Sequence, residues 1–237
     1  MPQMPQSTGS FAATLRLTAG DLRIVHEVSL PTAEVAAAEI VPALQGVVNA
    51  VVDAAERKSI ASGQAISCRK GCGACCRQLV PISRTEGERL TALLRAMPAG
   101  RRARIDKRLA EAATRIERAG LAATEGRSDR EMSAAYFALG LPCPFLEDES
   151  CSIHAERPLV CREYLVTSPA GLCSGPAQEG VTPVAVPKFS AAARKMQDES
   201  DDWFPLALLG KRGKRGATER RPGPEWMQRF LKGLTAK

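Results

Sequence analysis

The chain has 237 residues, 44% hydrophobic and 25% charged, a balance that suits a globular protein with one good core, or one core with appendages. Aromatics are only 4%, so the core has to be built from Ala, Leu, Val and Ile. The formal charge of +7 counts the eight cysteines as neutral; a divalent ion held by four thiolates carries about −2, so two such sites erase more than half of the excess and weaken any inference to nucleic acid.

Met1 to Phe11 is rich in Pro, Gln and Ser and lacks the basic start, apolar centre and cleavage pattern of a secretory leader. No apolar stretch approaches the ~20 residues of a membrane-spanning helix. The expectation is a cytoplasmic protein without a membrane partner, whose thiols are reduced and serve as ligands or catalysts rather than disulfides.

Phe11, Ala13, Leu15 and Leu17 alternate with polar or small residues, and after Ala19-Gly20 the alternation resumes at Leu22, Ile24, His26, Val28 and Leu30. This predicts a short hairpin with one buried face, on which His26 reads as a hydrogen-bonded core histidine rather than a ligand. Thr32 to Arg57 is helical in pattern, with Pro42 opening a segment whose Leu44, Val47, Val48, Val51 and Ala55 share a face. A cysteine loop follows, in which Cys68, Cys72, Cys75 and Cys76 lie within nine residues.

After the short apolar stretch Leu79 to Ile82, Thr85 with Glu88 has a capping-box spacing ahead of Leu90, Leu93, Leu94 and Met97, which predicts a helix. Pro98 and Gly100 break it. Ile105, Leu109, Ala112, Ile116 and Ala119 mark a second helix that Gly120 ends, and the two stripes predict an antiparallel pair. Glu131 to Leu139 reads as a further helix leading to Cys143, after which Pro142, Pro144, Pro158 and Pro169 punctuate a loop region holding Cys143, Cys151, Cys161 and Cys173. Val181 to Phe189 reads as a Pro-interrupted strand, and Pro224 opens a last amphipathic helix with Trp226, Met227, Phe230, Leu231 and Leu234. The expected organisation is a hairpin and support helix over 1–65, a cysteine-cluster domain over 66–175 and an extension over 176–237. In fold class this is mainly α with a small N-terminal hairpin around an irregular metal-binding centre, α+β being the alternative.

Thiols this crowded are poor candidates for four disulfides, because adjacent Cys75 and Cys76 cannot readily bridge each other. Metal ligation is the economical explanation. Cys72-Gly73-Ala74-Cys75 is a tight turn of the kind that presents two sulfurs to one ion, and Arg69, Lys70, Arg77 and Arg162 stand beside cysteines where they offset thiolate charge. His154, close after Cys151, has ligand-compatible spacing or serves as a neighbour of the ligands.

The order Cys68-x3-Cys72-x2-Cys75-Cys76, then Cys143-Pro144-Phe145-Leu146, Cys151-Ser152-Ile153-His154 and Arg157-Pro158-Leu159-Val160-Cys161-Arg162, resembles the YkgJ-type cysteine-cluster family over roughly Ile66 to Cys173. The resemblance implies a zinc- or iron-chelating domain, and the family includes proteins similar to flagellin lysine-N-methylase. Sulfur softness excludes magnesium and calcium, while four sulfurs suit either a tetrahedral zinc or a cubane 4Fe-4S cluster. Two groups of four cysteines allow two centres, or one centre with spare redox-active thiols, supporting redox or group-transfer chemistry on a protein or small-molecule partner. The alternative is a structural zinc module that staples loops together and mediates protein or nucleic-acid interaction.

The first three cysteines also have the spacing of radical S-adenosylmethionine enzymes. Against that fold, Ala74 replaces the aromatic before the third cysteine, the loop follows a long helix rather than a strand, and no βα series follows. There is no Gly-rich dinucleotide or Walker-type motif, and two histidines without a surrounding pattern give no triad. Glu147, Asp148 and Glu149 read as a solvated turn. The basic clusters at Arg101, Arg102, Arg104, Lys107 and Arg108 and at Lys211, Arg212, Lys214, Arg215, Arg220 and Arg221 lack interleaved aromatics to stack bases, so they read as solvated faces.

Overall fold

The computed structural model describes residues 9–123, 128–176, 179–197, 202–213 and 219–235. The expected hairpin forms from β1 (Ser10–Ala19) and β2 (Leu22–Pro31), antiparallel with Leu15 opposite His26 and Leu17 opposite Ile24. Because side chains alternate along a strand, Leu15, Leu17, Ile24, Val28 and Leu30 fall on one face and pack against the following helix, while Phe11 at the strand's start stays half exposed. His26 sits over Gly46 of that helix, where a Cβ would stand 3.2 Å from its ring.

The chain does not become helical at Thr32. It first forms β3 (Glu34–Ala36), which pairs with β8 (Arg220–Pro222), and a 3-10 turn at Ala37–Ile40 before α1 (Val41–Ala61). Pro42 stands in the first turn of α1, where its missing N–H costs nothing. Leu44, Val47, Val48, Val51 and Ala55 are buried along the helix as the spacing predicts. By length and composition alone, Ala37–Ala61 could cross a membrane, contrary to the expectation that no apolar stretch is long enough; Gln45, Asn49 and Asp53 punctuate it and hide its length. Half of that apolar window is buried within the fold, and it is the central helix of the first core.

Beyond the cysteine loop, β4 (Pro81–Ser83) pairs with β7 (Trp203–Pro205) and leads into α2 (Arg84–Ala96). The capping box lies two residues ahead of the predicted one. Ser83 Oγ accepts from the Glu86 N–H at 3.2 Å and Glu86 Oε2 accepts from the Ser83 N–H at 3.1 Å, whereas Thr85 and Glu88 receive the amide of Gln197. Both spacings satisfy the pattern; Ser83 wins because it ends a paired strand in extended backbone.

α3 (Ala99–Arg118) buries Ile105, Leu109, Ala112 and Ile116 and ends before Gly120, as expected. It does not lie flush on α2: Leu206–Leu208 and α7 (Leu209–Arg212) pack against α3, and α7 also packs against α2, inside one shared core. α4 (Asp129–Ala138) covers that core with Met132 and Tyr136. A two-residue-strand hairpin, β5 (Leu146–Glu147) and β6 (Ser150–Cys151), and the short helix α5 (Leu159–Glu163) follow. The predicted strand at Val181 to Phe189 reduces to a single bridge between Val166 and Pro183, since Pro183 and Pro187 remove ladder donors, and α6 (Phe189–Arg194) begins at its end. α8 (Gly223–Thr235) is the predicted last helix.

The apolar residues form two cores. The first joins the hairpin, α1, α6 and α8 around Trp226, whose indole N–H donates to the Val35 carbonyl at 2.9 Å. The second joins α2, α3, α4 and the Trp203–Leu209 segment with Phe145 and Ile153. The fold is mainly α with small two-stranded sheets, and the cysteine loops lie where the two cores meet: Cys68 packs on the first, Cys143 and Cys151 on the second.

Candidate metal centre

The first cysteine loop is made of turns. The Cys72 N–H closes onto the Arg69 carbonyl at 3.1 Å, Gly71 takes a left-handed φ of 91°, and the 3-10 turn Ala74–Arg77 is closed by Cys76 N–H to the Gly73 carbonyl at 3.0 Å. Tight turns aim successive side chains inward, which places three sulfurs within a few residues. Gly73 has no room for a side chain: a Cβ would stand 2.5 Å from the Glu149 carbonyl and 2.6 Å from Leu146. The loop is therefore seated against β5–β6. Cys143 N–H donates to the Cys76 carbonyl at 2.7 Å, tying the start of the second group to the end of the first.

At the other side, the Ser67 N–H donates to the Val166 carbonyl at 2.9 Å and the Cys68 thiol to the Tyr164 carbonyl at 3.7 Å. Gln78 spans to the Ala170–Ser174 turn by donating to the Cys173 and Gly175 carbonyls, both at 2.9 Å. Pro158, in extended backbone before α5, starts that helix and lets it carry Cys161.

Seven of the cysteines, Cys68, Cys72, Cys75, Cys76, Cys143, Cys151 and Cys161, line a single cavity of about 360 Å³ together with His154, Arg157 and Tyr164. Cys173 lies outside its lining, buried, with the Tyr164 hydroxyl 4.0 Å from its sulfur. The cavity continues past the sulfurs to Asn49, Asp53 and Glu56 on α1 and to Arg69 and Lys70. A second cavity of about 240 Å³, walled by Val160, Trp203 and Arg194, shares Cys75, Cys161 and Tyr164 with it. All eight cysteines are free thiols. Among the described residues, no three Cys, His, Asp or Glu side chains are gathered tightly enough to hold an ion as placed; the sulfurs ring the cavity. The donor set fits zinc or iron on its chemistry, since soft sulfur from several chain segments dominates one wall.

Burial raises the thiols: Cys143 is pushed up to about 12, Cys161 well above the ordinary value, and Cys68, Cys151 and Cys173 upward as well. Cys75 is raised first by its hydrogen bond with Cys76 and then by burial. A buried thiol keeps its proton at neutral pH until an ion takes its place. The cations that act on these sulfurs are only partly those expected. Arg157 acts on Cys75 and Cys151, Arg162 on Cys151 and Arg108 on Cys143, and Arg77, which pairs with Glu149 at 2.6 Å, also interacts with Cys76 as expected. His154 is held below its usual value by burial and by the charges of Arg157, Arg162 and Lys70, so its ring is neutral at neutral pH.

Three supporting residues, Glu86, Asn49 and Gln45, escaped the sequence reading, and Arg162 has a duty beyond the one expected of it. Glu86, fully buried, accepts from the Leu159 N–H at 2.7 Å and so fixes the start of the Cys161 helix. Arg162 also ties backbone together, donating to the Arg157 carbonyl at 2.9 Å, to the Ala155 carbonyl, and to Asn49 Oδ1 at 2.8 Å. Asn49 and Gln45, which donates to the Glu156 and Arg157 carbonyls, link α1 to the same loop. The signal available was polar residues on the otherwise apolar α1.

The basic and acidic runs also have inward duties. Arg101 donates to the Ser152 carbonyl at 2.6 Å; Arg108 donates to the Pro144 carbonyl and pairs with Glu147 at 3.2 Å. Glu147 and Glu149 thus anchor a turn in which Asp148 and Glu149 have φ of 47° and 56°. Lys211 pairs with Glu117, Arg220 with Glu39, and Arg221 with Glu219 and Glu225; Lys214 and Arg215 lie outside the described residues.

Searches among curated proteins and among solved structures found no match to the chain. A family model does match, named CxxCxxCC and described as "Putative zinc- or iron-chelating domain", over residues 67–185. That stretch contains all eight cysteines and the whole cavity wall they form, and it makes up half of the 237 residues. The chain belongs to this cysteine-cluster family of zinc- or iron-chelating domains.

Proposed function

We propose that the thiolates of this centre hold zinc or iron in a reactive site, at which a protein or small-molecule partner undergoes redox or group-transfer chemistry. The observation that carries this reading is the cavity itself. It runs from the sulfurs to the charged residues of α1 and the first cysteine loop, and so offers a partner space beside the metal. A purely structural zinc is enclosed by its four ligands and needs no such space. Zinc supplies an activated thiolate nucleophile, and iron supplies electron transfer. Around it, Arg157 and Arg162 place positive charge beside the sulfurs and His154 stands as a neutral imidazole on the cavity wall.

The test is metal and acid-labile sulfide content, with a visible spectrum, on protein purified anaerobically without added metal. The loaded protein is then treated with iodoacetamide or, if coloured, with dithionite. Alkylation of a cavity cysteine or reversible bleaching is the expected result. Colourless zinc protein that resists alkylation overturns the reactive reading in favour of a structural module.

A further inference from the structure

The cysteines fall into two groups along the sequence, but the fold regroups them in space. Cys173, from the second group, is brought against the first loop: the Ala170–Ser174 turn packs on the Ala74–Arg77 turn, and Gln78 of the loop holds the Cys173 carbonyl at 2.9 Å. Cys68 lies on the same side, its sulfur 3.7 Å from the carbonyl of Tyr164, whose hydroxyl touches the Cys173 sulfur. Cys143 and Cys151 lie on the other side, joined through the Leu146–Cys151 pairing and the second core. The electrostatic interactions between sulfurs follow the same division. Cys68 and Cys173 act with Cys72, Cys161 acts with Cys143 and Cys151, and Cys75 acts on both sets. Cys75 lines the same cavity as Cys68 and Cys72 of one set and Cys143, Cys151 and Cys161 of the other.

Resting on the metal-centre reading above, we propose that the chain binds two soft divalent ions in a thiolate-bridged pair, with Cys75 as the shared ligand. Cys68, Cys72 and Cys173 complete one ion and Cys143, Cys151 and Cys161 the other. Each ion then has four sulfurs, the number a tetrahedral zinc or iron(II) takes. Cys76, hydrogen-bonded to Cys75, is left outside both sets. Seven thiolates and two divalent ions leave about −3 in total, which the guanidinium groups of Arg108, Arg157 and Arg162 offset from the side of Cys143 and Cys151.

Paired substitutions read the grouping directly. Full-length protein is loaded with zinc and its metal content measured, folding being followed by far-ultraviolet circular dichroism. The wild type is expected to bind about two equivalents. Cys72→Ser with Cys173→Ser removes one ion, Cys143→Ser with Cys173→Ser removes both, and Cys76→Ser removes none. Grouping by sequence gives the reverse for the two double variants, and that result overturns the proposal. Loss of all metal from every single variant, or acid-labile sulfide in the native protein, overturns it in favour of one cluster while leaving the metal-centre reading intact; a wild type that binds neither zinc nor iron sinks both. Cobalt(II) titration of the wild type tests the bridge without any substitution. A shared thiolate couples the two ions, so the magnetic signal per cobalt falls as the second equivalent enters; strictly additive signals overturn the bridge.

Discussion

Replacing Glu86 by glutamine isolates the contact that positions Cys161. The carboxylate is 3% exposed and uses both oxygens: Oε1 accepts from the Leu159 N–H at 2.7 Å, and Oε2 from the Ser83 N–H and hydroxyl at 3.1 and 2.9 Å. An amide has one oxygen, so in either orientation one buried N–H faces an NH2 group. A buried donor left unpaired costs about 1–3 kcal/mol, and relief from burying a charge offsets part of it, for a net loss of about 2 kcal/mol. In a chain of this length that lowers Tm by roughly 4–8 °C. Burial raises the Glu86 carboxyl above 4.5, so the native state takes its proton more readily than the unfolded chain. Its contribution is thus complete below the unfolded value and declines as pH rises through the native one. Melts of metal-free wild type and Glu86→Gln are expected to differ most in acid and less at neutral pH, with faster amide exchange at Leu159. A gap below ~0.5 kcal/mol, or one that widens with pH, would refute the reasoning.

Arg162→Ala removes three bonds from a guanidinium and leaves the Arg157 and Ala155 carbonyls without that donor, for a loss of about 3 kcal/mol in urea unfolding, with Arg162→Lys in between. Gly73→Ala is compatible with the backbone at φ −106° but drives a methyl into Glu149 and Leu146; about 1–3 kcal/mol of stability is lost and chelator competition shows weaker metal retention. Trp226→Phe removes the indole donor to the Val35 carbonyl and underfills the first core, costing about 2 kcal/mol in thermal melts, while metal content stays at the wild-type level. Stripping the metal removes a ligand that binds only the folded state, about 2.7 kcal/mol at a hundredfold excess over Kd; limited proteolysis is expected to open the cysteine loops while the helix α1 stays protected.

What the sequence disclosed is what local rules govern. The alternation along β1 and β2, Pro42 in the first turn of α1 and the stripe on α3 are period and cap signals, and each yields its element. Where the local reading placed the cap of α2 at Thr85, a distant strand moved it: Ser83 is the N-cap because Ile82 pairs with Phe204, far along the chain. The strand at Glu34–Ala36 likewise exists only through its partner at Arg220–Pro222. The cysteines were legible as a cluster by number and order, yet their neighbours in space were not. The placement of Cys173 beside the first loop depends on Gln78 and on the packing of two 3-10 turns, neither of which has a periodic signature.

The arginines bear on why so irregular a site can be held together at all. Loops rich in turns leave backbone carbonyls outside any ladder, and a buried carbonyl without a donor is costly. Here Arg101 serves Ser152, Arg108 serves Pro144 and Leu146, Arg162 serves Ala155 and Arg157, and Arg77 serves Gly73. A guanidinium offers five donors in a rigid fork, so one side chain can tie several strands of loop together, which a lysine or a serine cannot. The same groups bring positive charge to sulfurs that must lose protons to bind metal, as Arg108 does for Cys143 and Arg162 for Cys151. The basic composition therefore follows from building a thiolate site on loops, with part of the charge turned inward to carbonyls and sulfurs.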